Sequence, residues 1–120
     1  MKCRIAAQSL RLRIDEDELE RLLRDGTVED TTSFAPGVQW RRRLLLDTID
    51  APTLQHDAAA LTVTLPRADF EAFAAERPRR DGIDFAWPVP GEAPLRITVE
   101  IDVRDSHRRA RRRGDDLPSD

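Results

Sequence analysis

The 120-residue sequence has a single cysteine, Cys3, and no tyrosine. One cysteine excludes an internal disulfide framework and any metal site built from several thiolates, so we expect a reducing compartment. No run of apolar residues is long enough to cross a bilayer, and no apolar stretch follows the first charged residues. The sequence therefore predicts a cytoplasmic protein without a membrane partner.

An excess of one charge sign is also lacking. The 20 lysines and arginines face 23 aspartates and glutamates, and Lys2 is the only lysine. This balance leaves no global field that would draw in a nucleic acid or an anionic membrane. With 36% charged and 39% hydrophobic residues, we expect one small domain with a thin core and a densely ionic surface.

Apolar and charged residues alternate in several segments of the sequence. Residues 2–7, 10–14 and 95–103 alternate with a period of two, which is typical of half-buried strands. The first two segments predict a hairpin joined across Gln8 and Ser9. Its inward side chains are Cys3, Ile5, Leu10, Leu12 and Ile14, and its outward side chains are Lys2, Arg4, Arg11 and Arg13.

Two segments have helical spacing. Asp15 followed by Glu18 predicts a capped helix that ends at Gly26. Pro66 suits the first turn of a second helix, because proline lacks only a donor that would be unpaired there. Phe70 and Phe73 lie on one side of this helix and are predicted to be core residues.

The fold class that follows is α+β. Further strands are predicted at 27–34, 38–47, 61–65 and 83–87, with a connecting loop at 50–59. The expected architecture is one mainly antiparallel sheet, in the order β-β-α-β-β-β-α-β-β, with two helices packed on one face. Residues 1–103 form this single domain, residues 104–120 form a charged, disordered tail, and no internal repeat is predicted.

Several segments of the sequence resemble a family of small bacterial proteins that carry only a domain-of-unknown-function label. They are Met1-Lys2-Cys3-Arg4-Ile5, Ser9-Leu10-Arg11-Leu12-Arg13, residues 26–34 and Val99-Glu100-Ile101-Asp102. The resemblance covers residues 1–103. That family usually has isoleucine at position 3, lysine at position 101 and a less basic tail, and these departures argue against a functional role for Cys3 or the tail. The resemblance implies the α+β fold described above, and it implies no activity or cofactor.

Catalytic, cofactor-binding and metal-binding residues are not predicted. His56 falls in a polar loop and His107 in the tail, so neither is held rigidly enough for acid-base catalysis. Cys3 is predicted to point into the core, where a thiol is inert. The histidines and carboxylates show none of the close spacings of a structural zinc site.

The charged face of the sheet is the candidate for anion binding. Arginines and carboxylates on neighbouring strands could contact phosphates or other polyanions. The simpler interpretation is a solvated face in which Glu100 and Asp102 form cross-strand salt bridges to Arg11 or Arg13. The candidate residues are Arg11, Arg13, Arg96, Glu100 and Asp102.

Three functions remain open from the sequence. The favoured one is a non-enzymatic interaction module that binds a protein partner, or a second copy, through a sheet edge or a surface around Trp40 or Trp87. The first alternative is a binder or hydrolase of small phosphorylated or polyanionic ligands that uses the charged face. The second is weak nucleic-acid binding through the arginines of 108–113, which no aromatic residue supports.

Overall fold

The computed structural model describes residues 1–76 and 82–102, and these residues form eight strands and two helices. In chain order the elements are β1 (Lys2–Ala6), β2 (Ser9–Ile14), α1 (Glu16–Asp25), β3 (Thr27–Ala35), β4 (Val38–Asp47), β5 (Thr53–His56), β6 (Ala60–Pro66), α2 (Arg67–Ala75), β7 (Ile83–Trp87) and β8 (Leu95–Ile101). The predicted tail at 104–120 lies outside the described residues.

The strands form two four-stranded sheets. The first sheet has the order β1-β2-β8-β7, and the second has the order β3-β4-β6-β5. The two outer pairs of each sheet are antiparallel, whereas the central pairs, β2 with β8 and β4 with β6, are parallel. Both sheets are therefore mixed.

The second half of the chain repeats the plan of the first. A hairpin, a helix and a second hairpin occur in residues 2–47 and again in residues 53–101. In each sheet, the first hairpin of one half pairs with the second hairpin of the other half. The registers also match, since Leu12 faces Val99 in the first sheet and Val63 faces Leu44 in the second. The repeat lies in the order of elements and in their pairing, and it is not visible as a repeat of residue identities in the sequence.

One apolar core joins the inner faces of both sheets and one side of each helix. Alternate residues of the four central strands are buried, including Leu12, Val99, Leu44 and Val63. Phe70 of α2 is fully buried, and its ring packs 5.8 Å from that of Phe73. Since each strand buries every second residue, the side chains between them must face outward.

Helix α1 begins and ends as predicted. The Asp15 side chain accepts a hydrogen bond from the Glu18 backbone N–H at 2.7 Å, and the Glu18 carboxylate accepts one from the Asp15 N–H at 3.0 Å. This reciprocal capping box satisfies two N–H groups that have no partner within a helix. Gly26 ends the helix with φ of 80°, a left-handed conformation that glycine adopts without strain.

The α+β class is confirmed, but the strand arrangement differs from the prediction. The single, mainly antiparallel sheet is replaced by two mixed sheets, and the loop predicted at 50–59 contains β5. Strand β5 has only four residues and one apolar side chain, Leu54, so its sequence shows no alternation that would mark a strand. Pro66, predicted in the first turn of the second helix, is instead the last residue of β6 and immediately precedes α2. Ile5, predicted to be an inward side chain of the hairpin, is 63% exposed because β1 lies at the sheet edge.

Candidate anion-binding face

The outward side of the first sheet is rich in cations. Because Leu10, Leu12 and Ile14 point into the core, the residues between them point away from it. We call this surface the basic face. It comprises Lys2 and Arg4 of β1, Arg11 and Arg13 of β2, Asp84 of β7, and Arg96, Thr98 and Glu100 of β8.

Like charges stand directly opposite each other on the first hairpin. The register pairs Lys2 with Arg13 and Arg4 with Arg11. Like charges in such facing positions destabilise a sheet. The face therefore carries a local electrostatic cost within a protein whose net charge is only −3.

Glu100 offsets part of this repulsion from the neighbouring strand. Its carboxylate lies 2.9 Å from Nε of Arg11 and 3.5 Å from Nη2 of Arg13, and its side chain is only 12% exposed. Oε1 is shielded from solvent, and no donor in the described part of the chain is aligned with it, so the Arg11 contact is an ion pair without hydrogen-bond geometry. The cross-strand salt bridge predicted for Glu100 is confirmed.

Arg96 faces a different carboxylate. Its Nη2 donates a hydrogen bond to Asp84 at 2.8 Å, and the Thr98 hydroxyl donates to the other Asp84 oxygen at 2.6 Å. These hydrogen bonds, from Thr98 and then from Arg96, lower the pKa of the Asp84 carboxyl below its usual value. Asp102 follows the last residue of β8, and its backbone N–H donates to the Ile14 carbonyl at 2.8 Å.

The two cations of β1 have no such partner. Among residues 1–76 and 82–102, no carboxylate lies within salt-bridge distance of Lys2 or Arg4. Both side chains belong to exposed residues of an edge strand. The uncompensated positive charge of the basic face is therefore concentrated along β1.

The second sheet provides an internal comparison. The strand registers place four neutral polar residues where the first hairpin has its cations. Thr53 and Gln55 of β5 correspond to Lys2 and Arg4, and Thr62 and Thr64 of β6 correspond to Arg11 and Arg13. Since both hairpins occupy the same place in the fold, the fold itself does not require cations there.

Arginines on the second sheet are balanced. Glu29 of β3 accepts a hydrogen bond from Nε of Arg43 at 2.8 Å and lies 3.7 Å from Nε of Arg41. This carboxylate bridges two arginines of one strand, as Glu100 does on the first sheet. Here, however, all three side chains are at least 40% exposed.

Charged groups also lie beside the core. Arg42 forms an ion pair with Asp30 at 3.2 Å, donates to the Thr32 hydroxyl at 2.8 Å, and lies 5.4 Å from the centre of the Trp40 ring. Burial raises the pKa of the nearby Cys3 thiol, and Arg42 offsets only part of that rise. A protonated thiol is a poor nucleophile.

Metal-binding groups and membrane-spanning helices are both absent from the described part of the chain. Within the described ranges, no three histidine, cysteine, aspartate or glutamate side chains form a group that could hold a metal ion. No helix in that part of the chain is long and apolar enough to cross a membrane.

Comparison with known proteins identifies the family. The sequence model of a family of unknown function, DUF7009, matches residues 1–117. The chain belongs to this family. The match spans both hairpins of the basic face, and it confirms the resemblance seen in the sequence to a domain of unknown function. No curated protein and no solved structure matches the chain.

The structure of this DUF7009 chain brings together only part of the predicted candidate set. Arg11, Arg13 and Glu100 form one cluster, whereas Arg96 is directed to Asp84. Sequence reasoning missed Asp84, whose position opposite Thr98 depends on the pairing of β7 with β8. The alternation in 83–87 was a usable signal, because it put Asp84 on the polar side of a predicted strand.

Proposed function

We propose that this chain is a non-enzymatic binding protein that holds an acidic partner against the basic face. The observation that carries the proposal is the in-register pairing of like charges on the first hairpin, beside neutral residues at the equivalent positions of the second sheet. A cationic surface that the fold does not need, and that destabilises it, gains a role when an anionic partner neutralises it.

The environment of Glu100 favours binding over catalysis. A general base needs a carboxylate free to accept a proton from a substrate. Glu100 is the carboxylate among the β2 cations, and Arg11 and Arg13 already engage it. His56 lies on β5 in the other sheet, so it cannot serve the basic face.

Binding of a fluorescent polyglutamate peptide, followed by anisotropy at low ionic strength, tests the proposal. The informative variant is Arg11→Thr with Arg13→Thr, which copies Thr62 and Thr64 of the second sheet. We expect it to weaken binding by about tenfold, since two of the four hairpin cations that attract the peptide to this face are lost.

A matched control removes the same charge from the second sheet. Arg41→Thr with Arg43→Thr leaves the basic face intact, and we expect this variant to bind the peptide like the wild type. Raising the salt concentration should weaken wild-type binding steeply, because exposed charge contacts are screened. Equal losses in both double variants, or no binding by the wild type, would overturn the proposal.

A small phosphorylated ligand remains the alternative for the same face. It would need Arg96 to join Arg11 and Arg13, but Asp84 holds Arg96 at 2.8 Å. Thermal shift with inorganic triphosphate tests this alternative, since a ligand that binds only the folded state raises the unfolding temperature.

The arginines of 108–113 lie outside the described residues, and truncation after Val103 tests them for salt-dependent nucleic-acid retention.

A further inference from the structure

The cations of the basic face that lack an ion-pair partner among the described residues, Lys2 and Arg4, indicate where on this face a partner would bind. Arg11 and Arg13 lie on β2, an inner strand of the first sheet, and both form ion pairs with Glu100. Arg96 forms an ion pair with Asp84. A ligand centred on β2 would have to compete with the Glu100 carboxylate. Lys2 and Arg4 meet no such competitor among the described residues, and both belong to β1.

Strand β1 is also an open edge. It pairs with β2 on one side, and no strand of the described ranges 1–76 and 82–102 lies on the other. In an antiparallel pair, every second residue of an edge strand points its backbone N–H and C=O away from its neighbour. Such an edge can accept an additional strand, because main-chain hydrogen bonds then continue the sheet.

The opposite side of β1 presents an exposed apolar residue. Ile5 is 63% exposed although its neighbours on β2, Leu10 and Leu12, are buried. A strand added beside β1 would cover Ile5 on one face of the sheet and meet Lys2 and Arg4 on the other. Because side chains alternate along a strand, the best match is a segment in which acidic and apolar residues alternate.

We propose that the first sheet binds an extended acidic polypeptide segment, which adds to β1 as a fifth strand. This inference rests on the proposed function and specifies its partner. The acidic side chains of the segment pair with Lys2 and Arg4, and its apolar side chains pack beside Ile5. Backbone hydrogen bonds supply affinity, while the alternation supplies specificity.

Other occupants fit the same observations less well. A second copy that paired β1 with β1 would bring Lys2 and Arg4 of both copies together, and like charges across strands repel. Single-stranded nucleic acid is bound largely by base stacking on aromatic side chains, and the described side chains of the basic face include no aromatic residue. The charges could alternatively serve only to block edge-to-edge aggregation, which the experiment must separate from binding.

The first measurement uses the wild-type protein and peptides that alternate glutamate and valine. One peptide has ordinary amides, and a second is N-methylated at every other residue on the edge that would face β1. Methylation removes the donors without changing charge, so we expect it to weaken binding by roughly thirtyfold or more, at about 1 kcal/mol for each lost hydrogen bond. Amide hydrogen exchange in β1 should slow when the unmodified peptide binds.

The second measurement uses Lys2→Thr with Arg4→Gln, which copies Thr53 and Gln55 of the equivalent edge strand β5. We expect about tenfold weaker binding of the unmodified peptide. The control Arg41→Thr with Arg43→Thr should bind normally. Thermal unfolding checks that each variant is folded, and the methylation test needs no variant at all.

The outcomes separate the two proposals. If the methylated and unmodified peptides bind equally, charge alone holds the partner, so strand addition is wrong while the proposed function stands. If neither peptide nor polyglutamate binds, the proposed function fails, and edge protection remains as the role of the charges. Dimerisation of the free protein through β1, seen by sedimentation, would also overturn the inference.

Discussion

Replacing Glu100 by glutamine should destabilise the protein by about 1–2 kcal/mol, because a partly buried ion pair is lost and four cations are left facing each other. The Glu100 carboxylate is 12% exposed and lies 2.9 Å from Arg11 and 3.5 Å from Arg13. The two arginines are exposed enough to regain water, which keeps the loss below that of a fully buried pair. For a domain of about 100 residues, this loss corresponds to a decrease in Tm of roughly 4–12 °C.

Glu29→Gln is the matched control for this change. Glu29 also bridges two arginines of one strand, but its side chain is 40% exposed, and exposed pairs contribute about 0.2–1 kcal/mol. Urea unfolding of both variants, at low and high salt, measures the difference in free energy of unfolding. We expect a larger loss for Glu100→Gln that shrinks at high salt. An equal or larger loss for Glu29→Gln would refute the argument from burial.

Three further predictions concern stability. Asp15→Ala should lower the free energy of unfolding by about 1 kcal/mol, because the α1 capping box is lost, and an unchanged urea midpoint would contradict this. Gly82→Ala should lower the free energy of unfolding by about 1–3 kcal/mol, since the added Cβ would lie 2.6 Å from the Val99 carbonyl oxygen and 2.8 Å from Thr98 Cγ2. An unchanged Tm would contradict this prediction. The pKa of Asp84 is lowered in the folded protein, so its contribution to the free energy of unfolding is present above the unfolded-state pKa and is lost as pH falls through the folded-state pKa. Asp84→Asn should therefore reduce the dependence of the free energy of unfolding on pH at acid pH. An unchanged dependence would contradict this prediction.

Local interactions made much of the fold predictable. The capping residues of α1 and the glycine that ends it are set by hydrogen bonds within a few residues, so Asp15, Glu18 and Gly26 mark this helix in the sequence. Alternation likewise predicted which residues of β2 are buried, because a strand directs successive side chains to opposite faces.

Long-range pairing was not predictable in the same way. Strands β2 and β8 lie side by side and parallel although one is near the beginning of the described chain and the other is at its end. Alternation is identical for parallel and antiparallel neighbours, so it does not determine which strands pair or in which direction. The candidate site shows the same limit. Glu100 could be assigned to Arg11 and Arg13 because all three alternate outward, but the Asp84–Arg96 contact required the pairing of β7 with β8.

Because the two halves of the chain share one plan, comparing equivalent positions separates residues that the fold requires from residues that it does not require. Equivalent core positions keep apolar residues, as Leu12 and Val63 do, because both sheets must bury their inner faces. Equivalent outward positions differ, with Arg11 where the second sheet has Thr62 and Glu100 where it has Leu45. Each pair of positions has the same strand neighbours, so strand geometry alone cannot account for the difference in charge. We attribute the difference to the proposed acidic partner, and we place its contact at the edge of the first sheet because Lys2 and Arg4 have no salt-bridge partner in the described part of the chain.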